Sequence, residues 1–139
     1  MSLTQGREDF AHLRDVIAID SGSSIPGGSF CNADLMANIG PSKEPINMLT
    51  NKGEGELNME GATAGLGSVY HDPDGIANVI SLSWLAKQPG YRVVLDSAKE
   101  NAIKVYRDEK LFLEFPCTPE GLYTYKLDDD YFRKIDKLK

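Results

Sequence analysis

The sequence is short of the residues that several common kinds of site require. It has two cysteines, which allow one disulfide at most, and two histidines, of which His71 lies with Asp72 and Asp74 in a predicted turn that favours a solvated surface over a metal site. No apolar run approaches the roughly 20 residues that a membrane-spanning helix needs. Acidic residues outnumber basic ones, and the net charge of -6 disfavours direct binding of nucleic acid. We therefore expect a globular domain that needs no metal or cofactor and contacts neither membranes nor nucleic acid.

Signals for secretion are missing as well. The chain begins with neither the basic flank nor the apolar core of a signal peptide, and it contains no Asn-x-Ser/Thr acceptor. These features favour a cytoplasmic protein in which Cys31 and Cys117 are free thiols. A length of 139 residues fits one domain. We expect that domain over residues 15–127, a leader or linker over 1–14, and a polar tail, or the start of a helix toward another module, over 128–139.

One apolar run near the beginning of this domain ends abruptly in a carboxylate, a hydroxyl and a glycine. Residues 16–19 read Val-Ile-Ala-Ile and predict a short buried strand, which Asp20, Ser21 and Gly22 follow directly. A turn at Gly22 would present the Asp20 carboxylate at the tip of that strand. The motif is typical of aspartic proteases, in which two carboxylates activate a water molecule. Alone, it also fits an ordinary turn.

The rest of the chain predicts an all-β protein. Short apolar runs follow one another at close spacing and are separated by turn residues, as in sandwiches and barrels. A short helix through Trp84, capped by Ser81 or Ser83, interrupts them, and Asn32 would cap a helical turn that stops at residues 40–41. The predicted strands cover residues 46–50, 56–60, 68–70, 76–82, 91–95, 102–106, 111–115 and 121–127.

The first two of these strands read as a hairpin with a glycine-containing joint. Its residues are Asn51, Lys52, Gly53, Glu54 and Gly55. A surface hairpin would have such a joint, and so would a hinged lid that closes over a cleft. The joint alone favours the surface hairpin.

Several further motifs follow Asp20 in a fixed order. They read F-C-N-A-D-L-M-A-N-I, L-T-N-K-G-E-G, G-L-G-S-V-Y-H-D-P-D-G-I-A-N-V-I-S-L, Y-R-V-V-L-D-S and P-E-G-L-Y-T-Y. Together with I-A-I-D-S-G-S-S, they resemble the protease region of copia-type retrotransposon Pol polyproteins over residues 16–127. The resemblance implies a retropepsin-like fold, which is a small closed β-barrel with one short helix and a C-terminal β-hairpin extension, acting as a homodimer.

The resemblance also implies an activity and its site. The expected protein is an aspartic endopeptidase that cleaves its own Gag-Pol polyprotein, with Asp20, Ser21 and Gly22 as the catalytic motif. Ser23 and the hairpin joint would bind the polypeptide substrate. The sequence holds one such motif, so two chains would each donate one Asp20.

A second interpretation stays open. The segment around Pro26 and Gly27 is an apparent insertion beside the predicted active loop. It favours a catalytically inactive or domesticated barrel that only dimerises or binds peptide. The two interpretations differ in whether Asp20 is needed for cleavage.

Overall fold

The computed structural model describes residues 13–23, 25–50, 53–95, 97–98 and 101–139. Within these ranges, ten strands form two sheets, and two α-helices pack on them. The elements in chain order are β1 (Val16–Asp20), β2 (Gly28–Phe30), β3 (Ala37–Thr50), β4 (Gly53–Ala62), β5 (Ser68–His71), β6 (Asn78–Ser81), α1 (Leu82–Ala86), β7 (Tyr91–Leu95), β8 (Ala102–Arg107), β9 (Lys110–Pro116), β10 (Tyr123–Lys126) and α2 (Asp129–Leu138).

The large sheet has seven strands in the order β10-β1-β6-β2-β5-β4-β3. Strand β1 runs parallel to β6, with Asp20 opposite Ser81, and antiparallel to β10. Strand β2 pairs with both β6 and β5. Because β1 and β6 are parallel, their carboxyl ends meet at one edge, and Asp20 lies at that edge.

Both faces of β1 are covered, which explains its uninterrupted apolar run. Ile17 and Ile19 belong to the main core, whereas Val16 packs on a second, smaller cluster that contains Leu13 and Ala77. A strand covered on both faces needs apolar residues on both. Each isoleucine buried in this way stabilises the fold by about 1.5–3 kcal/mol. Leu13, which the sequence places in the linker, is fully buried.

The small sheet is a three-stranded meander in the order β7-β8-β9. It contributes Ile103, Val105 and Phe115 to the same core as the large sheet. The chain then returns to the large sheet as β10. In this region, where the resemblance implies a β-hairpin extension, β8 and β9 pair as an antiparallel hairpin within the meander.

The mainly β class is confirmed, but the predicted closed barrel is wrong. Strands β10 and β3 are the two edges of the seven-stranded sheet, and in the described residues they do not pair with each other. Residues of the small sheet and of α2 instead pack in the same core cluster as the large sheet.

Two helices are present where the resemblance implies one. The Ser81 hydroxyl caps α1 by accepting the Trp84 amide at 3.4 Å, as the sequence predicts. The tail forms α2, in which Tyr131 is buried and donates its hydroxyl to the Leu35 carbonyl at 2.8 Å. Among the large apolar residues of α2, Tyr131 and Ile135 are buried, while Phe132 and Leu138 are exposed. Neither helix is long and apolar enough to cross a membrane, and the same holds for all described residues.

The segment after β2 departs from its prediction at one end. Asn32 caps a 3₁₀ turn over Ala33–Leu35 by accepting the Asp34 amide, as expected. The stop predicted at residues 40–41 is wrong, because β3 begins at Ala37 and runs through Gly40 and Pro41. Strand β3 lies at the edge of the large sheet. Proline is tolerated in an edge strand, where its missing donor costs no ladder bond.

Candidate active site

Asp20 is the last residue of β1, and the turn that follows holds its carboxylate. The Gly22 amide donates to Asp20 Oδ1 at 2.8 Å. Asp20 is half-buried, and Ser21 and Gly22 are exposed. The structure thus brings the three predicted catalytic residues together in one tight turn. A carboxylate that is fixed on one oxygen and still accessible can act on a bound water molecule.

The loop after this turn is clamped to the junction of β6 and α1. Ser81 Oγ donates to the Ser23 carbonyl at 2.9 Å, and Ser83 Oγ does so at 3.4 Å. The Ser81 amide also donates to the Gly27 carbonyl at 3.2 Å. Ser81 is fully buried, so its hydroxyl caps α1 and fixes the loop at once. Sequence reasoning identifies the cap but not this second contact.

A buried asparagine on β6 connects several backbone segments near the site. Asn78 has no exposed surface, and its Oδ1 accepts the amides of Cys31 and Asn32 at 3.1 and 2.9 Å. Its Nδ2 donates to three carbonyl oxygens, those of Leu13, Arg14 and Val16, at 3.1, 2.9 and 3.0 Å. This side chain therefore joins β6 to the segments that precede β1 and follow β2. The sequence signal for it is a polar residue at the start of a buried apolar strand.

A cavity of about 220 Å³ lies beside Asp20. Ala18 and Val79 line it from neighbouring strands, and Leu122 and Tyr123 line it from the start of β10. Sites for drug-sized ligands usually exceed about 300 Å³. This cavity is of the size that receives a single amino-acid side chain.

The predicted hairpin is present with a shorter joint than expected. Thr50 lies opposite Gly53, so residues 53–55 belong to β4, and the prediction of a five-residue joint is wrong. Asn51 and Lys52 lie outside the described residues. In the sheet, β4 lies beyond β6, β2 and β5 from the strand that carries Asp20. Gly53, Glu54 and Gly55 therefore occupy a different part of the sheet from Asp20.

The hairpin is interrupted by a wide bulge in β3. Between the pairs Pro41–Met59 and Ile46–Leu57, β3 has four residues, 42–45, opposite one residue of β4. The Tyr70 hydroxyl donates to the Glu44 carbonyl at 2.6 Å within this bulge. The bulge divides the hairpin into a base within the sheet and an outer part that carries the tip.

Cysteine thiols and clusters of metal-binding side chains are the groups to compare with Asp20 as reactive groups. Both cysteines are free thiols, and burial raises the pKa of the Cys31 thiol, which disfavours the reactive thiolate. In the part of the chain that the structure describes, no three His, Cys, Asp or Glu residues are grouped to hold a metal ion. Asp20 is the accessible acid–base group at the joined ends of β1 and β6.

The chain has no match among family models, curated proteins or solved structures. Three features of the site bear on its function, namely the Asp20 turn, the bond from Ser81 to the loop after it, and the cavity beside Asp20.

Proposed function

We propose that the chain is one subunit of an aspartic endopeptidase whose active site forms between two copies. The observation that carries this proposal is the Asp20 carboxylate, held by the Gly22 amide at 2.8 Å at the exposed end of β1. The Ser81 and Ser83 hydroxyls hold the loop that follows this turn.

Two copies are required because hydrolysis of a peptide bond needs an acid and a base together. The sequence contains one Asp-Ser-Gly motif, so each chain supplies one carboxylate. A two-fold axis beside Asp20 would bring two of these carboxylates within hydrogen-bond distance. Two carboxylates so close cannot both ionise, and the pair then holds one proton.

The reaction follows from this shared proton. The ionised carboxylate removes a proton from a water molecule, whose oxygen attacks the peptide carbonyl carbon. The protonated carboxyl donates its proton to the carbonyl oxygen, which gives a neutral tetrahedral diol. The C–N bond then breaks. The leaving nitrogen receives the proton that the first carboxylate took from water, and one hydroxyl of the diol gives its proton back to the second carboxylate. The products are a carboxylic acid and an amine.

The proposed substrate is an extended polypeptide, and by resemblance it is the Gag-Pol polyprotein of a copia-type retrotransposon. An extended chain binds through main-chain hydrogen bonds in the manner of an added strand. The outer part of the β3–β4 hairpin would close over it, with the bulge at residues 42–45 as the hinge. Ser23 would support the loop, since its carbonyl already accepts two hydroxyls.

Self-cleavage of a fusion that joins this domain to an upstream polyprotein junction tests the proposal. The unchanged chain should cut the junction, whereas Asp20→Asn should reduce the rate by at least about a thousandfold, and pepstatin should inhibit the unchanged chain. Asp74→Asn is the matched control, because Asp74 is exposed in the turn before β6. Loss of cleavage in this control, or equal cleavage by Asp20→Asn, would contradict the proposal. A folded dimer that never cuts would favour the inactive peptide-binding module.

A further inference from the structure

We infer that Ser81 is a positioning residue for the proposed reaction. It binds the loop that follows the Asp20 turn at two points, and it thereby keeps the apparent insertion around Pro26 and Gly27 from displacing the Asp20 carboxylate. This inference rests on the proposed function. Ser81 is fully buried, so it acts through the loop and contacts neither the substrate nor the attacking water.

The first support is the pair of bonds from Ser81 to the loop. Ser81 Oγ donates to the Ser23 carbonyl at 2.9 Å, and the Ser81 amide donates to the Gly27 carbonyl at 3.2 Å. Ser23 directly follows the proposed catalytic motif, and Gly27 directly precedes β2. One residue therefore holds both ends of the loop. Because both ends are fixed, residues added between them need not move the turn that carries Asp20.

The second support is the place of Ser81 in the large sheet. Ser81 lies opposite Asp20 in the parallel pair of β1 and β6. Strand β6 lies between β1 and β2 and pairs with both of them. Core strands that are paired on both sides belong to the most stable part of a fold. The loop is therefore bound to the same rigid strand end that aligns Asp20.

The third support is the close packing of the loop on β5. Gly27 has a φ of 78°, and a Cβ there would lie 2.9 Å from the Ser68 carbonyl oxygen. Glycine is the residue that fits both the positive φ and the close approach. The loop is thus packed against the sheet at Gly27, and the bond from Ser81 to Ser23 fixes it at the end nearest Asp20.

Ser83 adds a weaker contact to the same acceptor. Its hydroxyl lies 3.4 Å from the Ser23 carbonyl oxygen and 3.4 Å from Ser81 Oγ. These distances are at the long limit for hydrogen bonds between oxygens, and Ser83 is exposed, so water competes with both. Loss of the Ser81 hydroxyl should therefore release the loop much more than loss of the Ser83 hydroxyl.

The test measures kcat and KM for a synthetic peptide that spans the upstream polyprotein junction. Protein concentrations are chosen so that the rate per subunit no longer rises with concentration. For Ser81→Ala we expect kcat to fall between about tenfold and a hundredfold, since a shift of about 1 Å in a reacting group can cost a hundredfold. KM should be unchanged, because Ser81 does not contact the substrate. Ser83→Ala should lower kcat much less than Ser81→Ala.

Two further variants separate positioning from stability. Asp128→Ala is the matched control for a lost helix cap, because Asp128 caps α2 by accepting the Tyr131 amide at 3.0 Å, as Ser81 caps α1. It should lower the melting temperature and leave kcat unchanged. Ser81→Cys keeps nearly the same side-chain volume but offers only a weak donor. It should lower kcat as Ser81→Ala does, and it replaces Ser81→Ala if that chain does not fold.

Each outcome decides for or against Ser81 as a positioning residue. A loss confined to kcat in a folded Ser81 variant, with Asp128→Ala unchanged, supports the inference. An unchanged kcat, or a change in KM alone, overturns it and leaves the protease proposal intact. An equal loss of kcat in Asp128→Ala also overturns it, because lost stability then explains the effect. Failure of both Ser81 variants to fold would overturn it as well, since the hydroxyl would then serve the fold. If the unchanged chain does not cut the peptide, the proposed function fails and this inference fails with it.

Discussion

The two sheets of this protein are assembled from different kinds of contact. In the small sheet, β7, β8 and β9 pair with their neighbours along the chain. In the large sheet, β1 pairs with β6 and β10, two strands from distant parts of the sequence. Asp20 lies in the large sheet, so its position depends on contacts between distant segments. Asn101, directly before β8, contacts the large sheet by accepting the Tyr123 hydroxyl of β10 at 2.7 Å.

The two sheets also differ in whether their polar contacts are buried or exposed. Asn78 in the large sheet is fully buried and accepts or donates five hydrogen bonds to backbone atoms within 3.1 Å. The small sheet has its polar contacts at the surface, where Arg92 stacks 4.3 Å from the centre of the Tyr106 ring. Changes in the large sheet should therefore cost far more stability, and the following predictions test that contrast from the largest expected effect to the smallest.

Gly28→Ala should have the largest effect. Gly28 has a φ of 137°, and a Cβ there would overlap the Val79 carbonyl of the neighbouring strand. Overlap with backbone cannot be relieved by a rotamer change, so we expect a loss of about 4 kcal/mol or more in the free energy of unfolding, or no folded protein. Urea denaturation measures it. Gly55→Ala is the control, since a Cβ at Gly55 meets no atom within 4 Å. Equal stability of the two variants would contradict the packing of β2 on β6.

Asn78→Ala and Asn101→Ala form a matched pair between the sheets. Removing the Asn78 side chain leaves several buried backbone groups without partners, and the expected loss is about 3 kcal/mol or more. Removing the exposed Asn101 side chain breaks its bond to the Tyr123 hydroxyl and should cost about 1 kcal/mol or less. Unfolding in urea measures both free energies. A larger loss for Asn101→Ala would reverse the contrast between the sheets.

Tyr131 should make the stability of the protein depend on alkaline pH. Burial raises the pKa of Tyr131 to about 12 in the folded chain, from an ordinary value of 10.0. The unfolded chain loses this proton first, so the stabilisation is complete below pH 10 and falls between pH 10 and 12, by about 2–3 kcal/mol. Stability measured by urea unfolding across this range checks the slope. Tyr131→Phe should reduce the slope without removing it, because burial also raises the pKa of Tyr125. An identical slope in both chains would contradict the burial of the Tyr131 side chain between α2 and the main core.

Arg92→Ala should have the smallest effect. Arg92 contacts Glu109 at 3.5 Å and stacks on Tyr106, and both Arg92 and Glu109 are more than half exposed. Exposed ion pairs and cation–π contacts each contribute about 0.5 kcal/mol, and the ionic part falls with added salt. The melting temperature should shift by a few degrees at most. A loss as large as that of Asn78→Ala would mean that the small sheet depends on surface charge.

The sequence predicts the features that depend on local contacts better than those that depend on distant segments. The bounds of β7, β8 and β9 match their predicted runs within two residues, and Ser81 and Asn32 cap the segments predicted for them. These features depend on neighbours in sequence, so local patterns determine them. The turn predicted at Gly22 is local as well, since the Gly22 amide bonds the carboxylate of Asp20 two residues before it.

The features that the sequence does not predict depend on distant residues. Nothing in the local pattern of Asn78 indicates that it joins segments before β1 and after β2. The helical interpretation of residues 37–39 fails because β4 provides pairing partners for β3. The closed barrel fails for a related reason, since whether two sheet edges meet depends on what else covers the core.

Mixing subunits would test most directly the central claim that two chains share one active site. Unchanged chain and Asp20→Asn chain are combined in increasing proportions at a constant total concentration, and cleavage of an added peptide is measured. If each site needs two Asp20 carboxylates, activity falls with the square of the unchanged fraction and reaches about one quarter in an equal mixture. Activity proportional to that fraction, about one half in the same mixture, would mean that one chain suffices and would contradict the account.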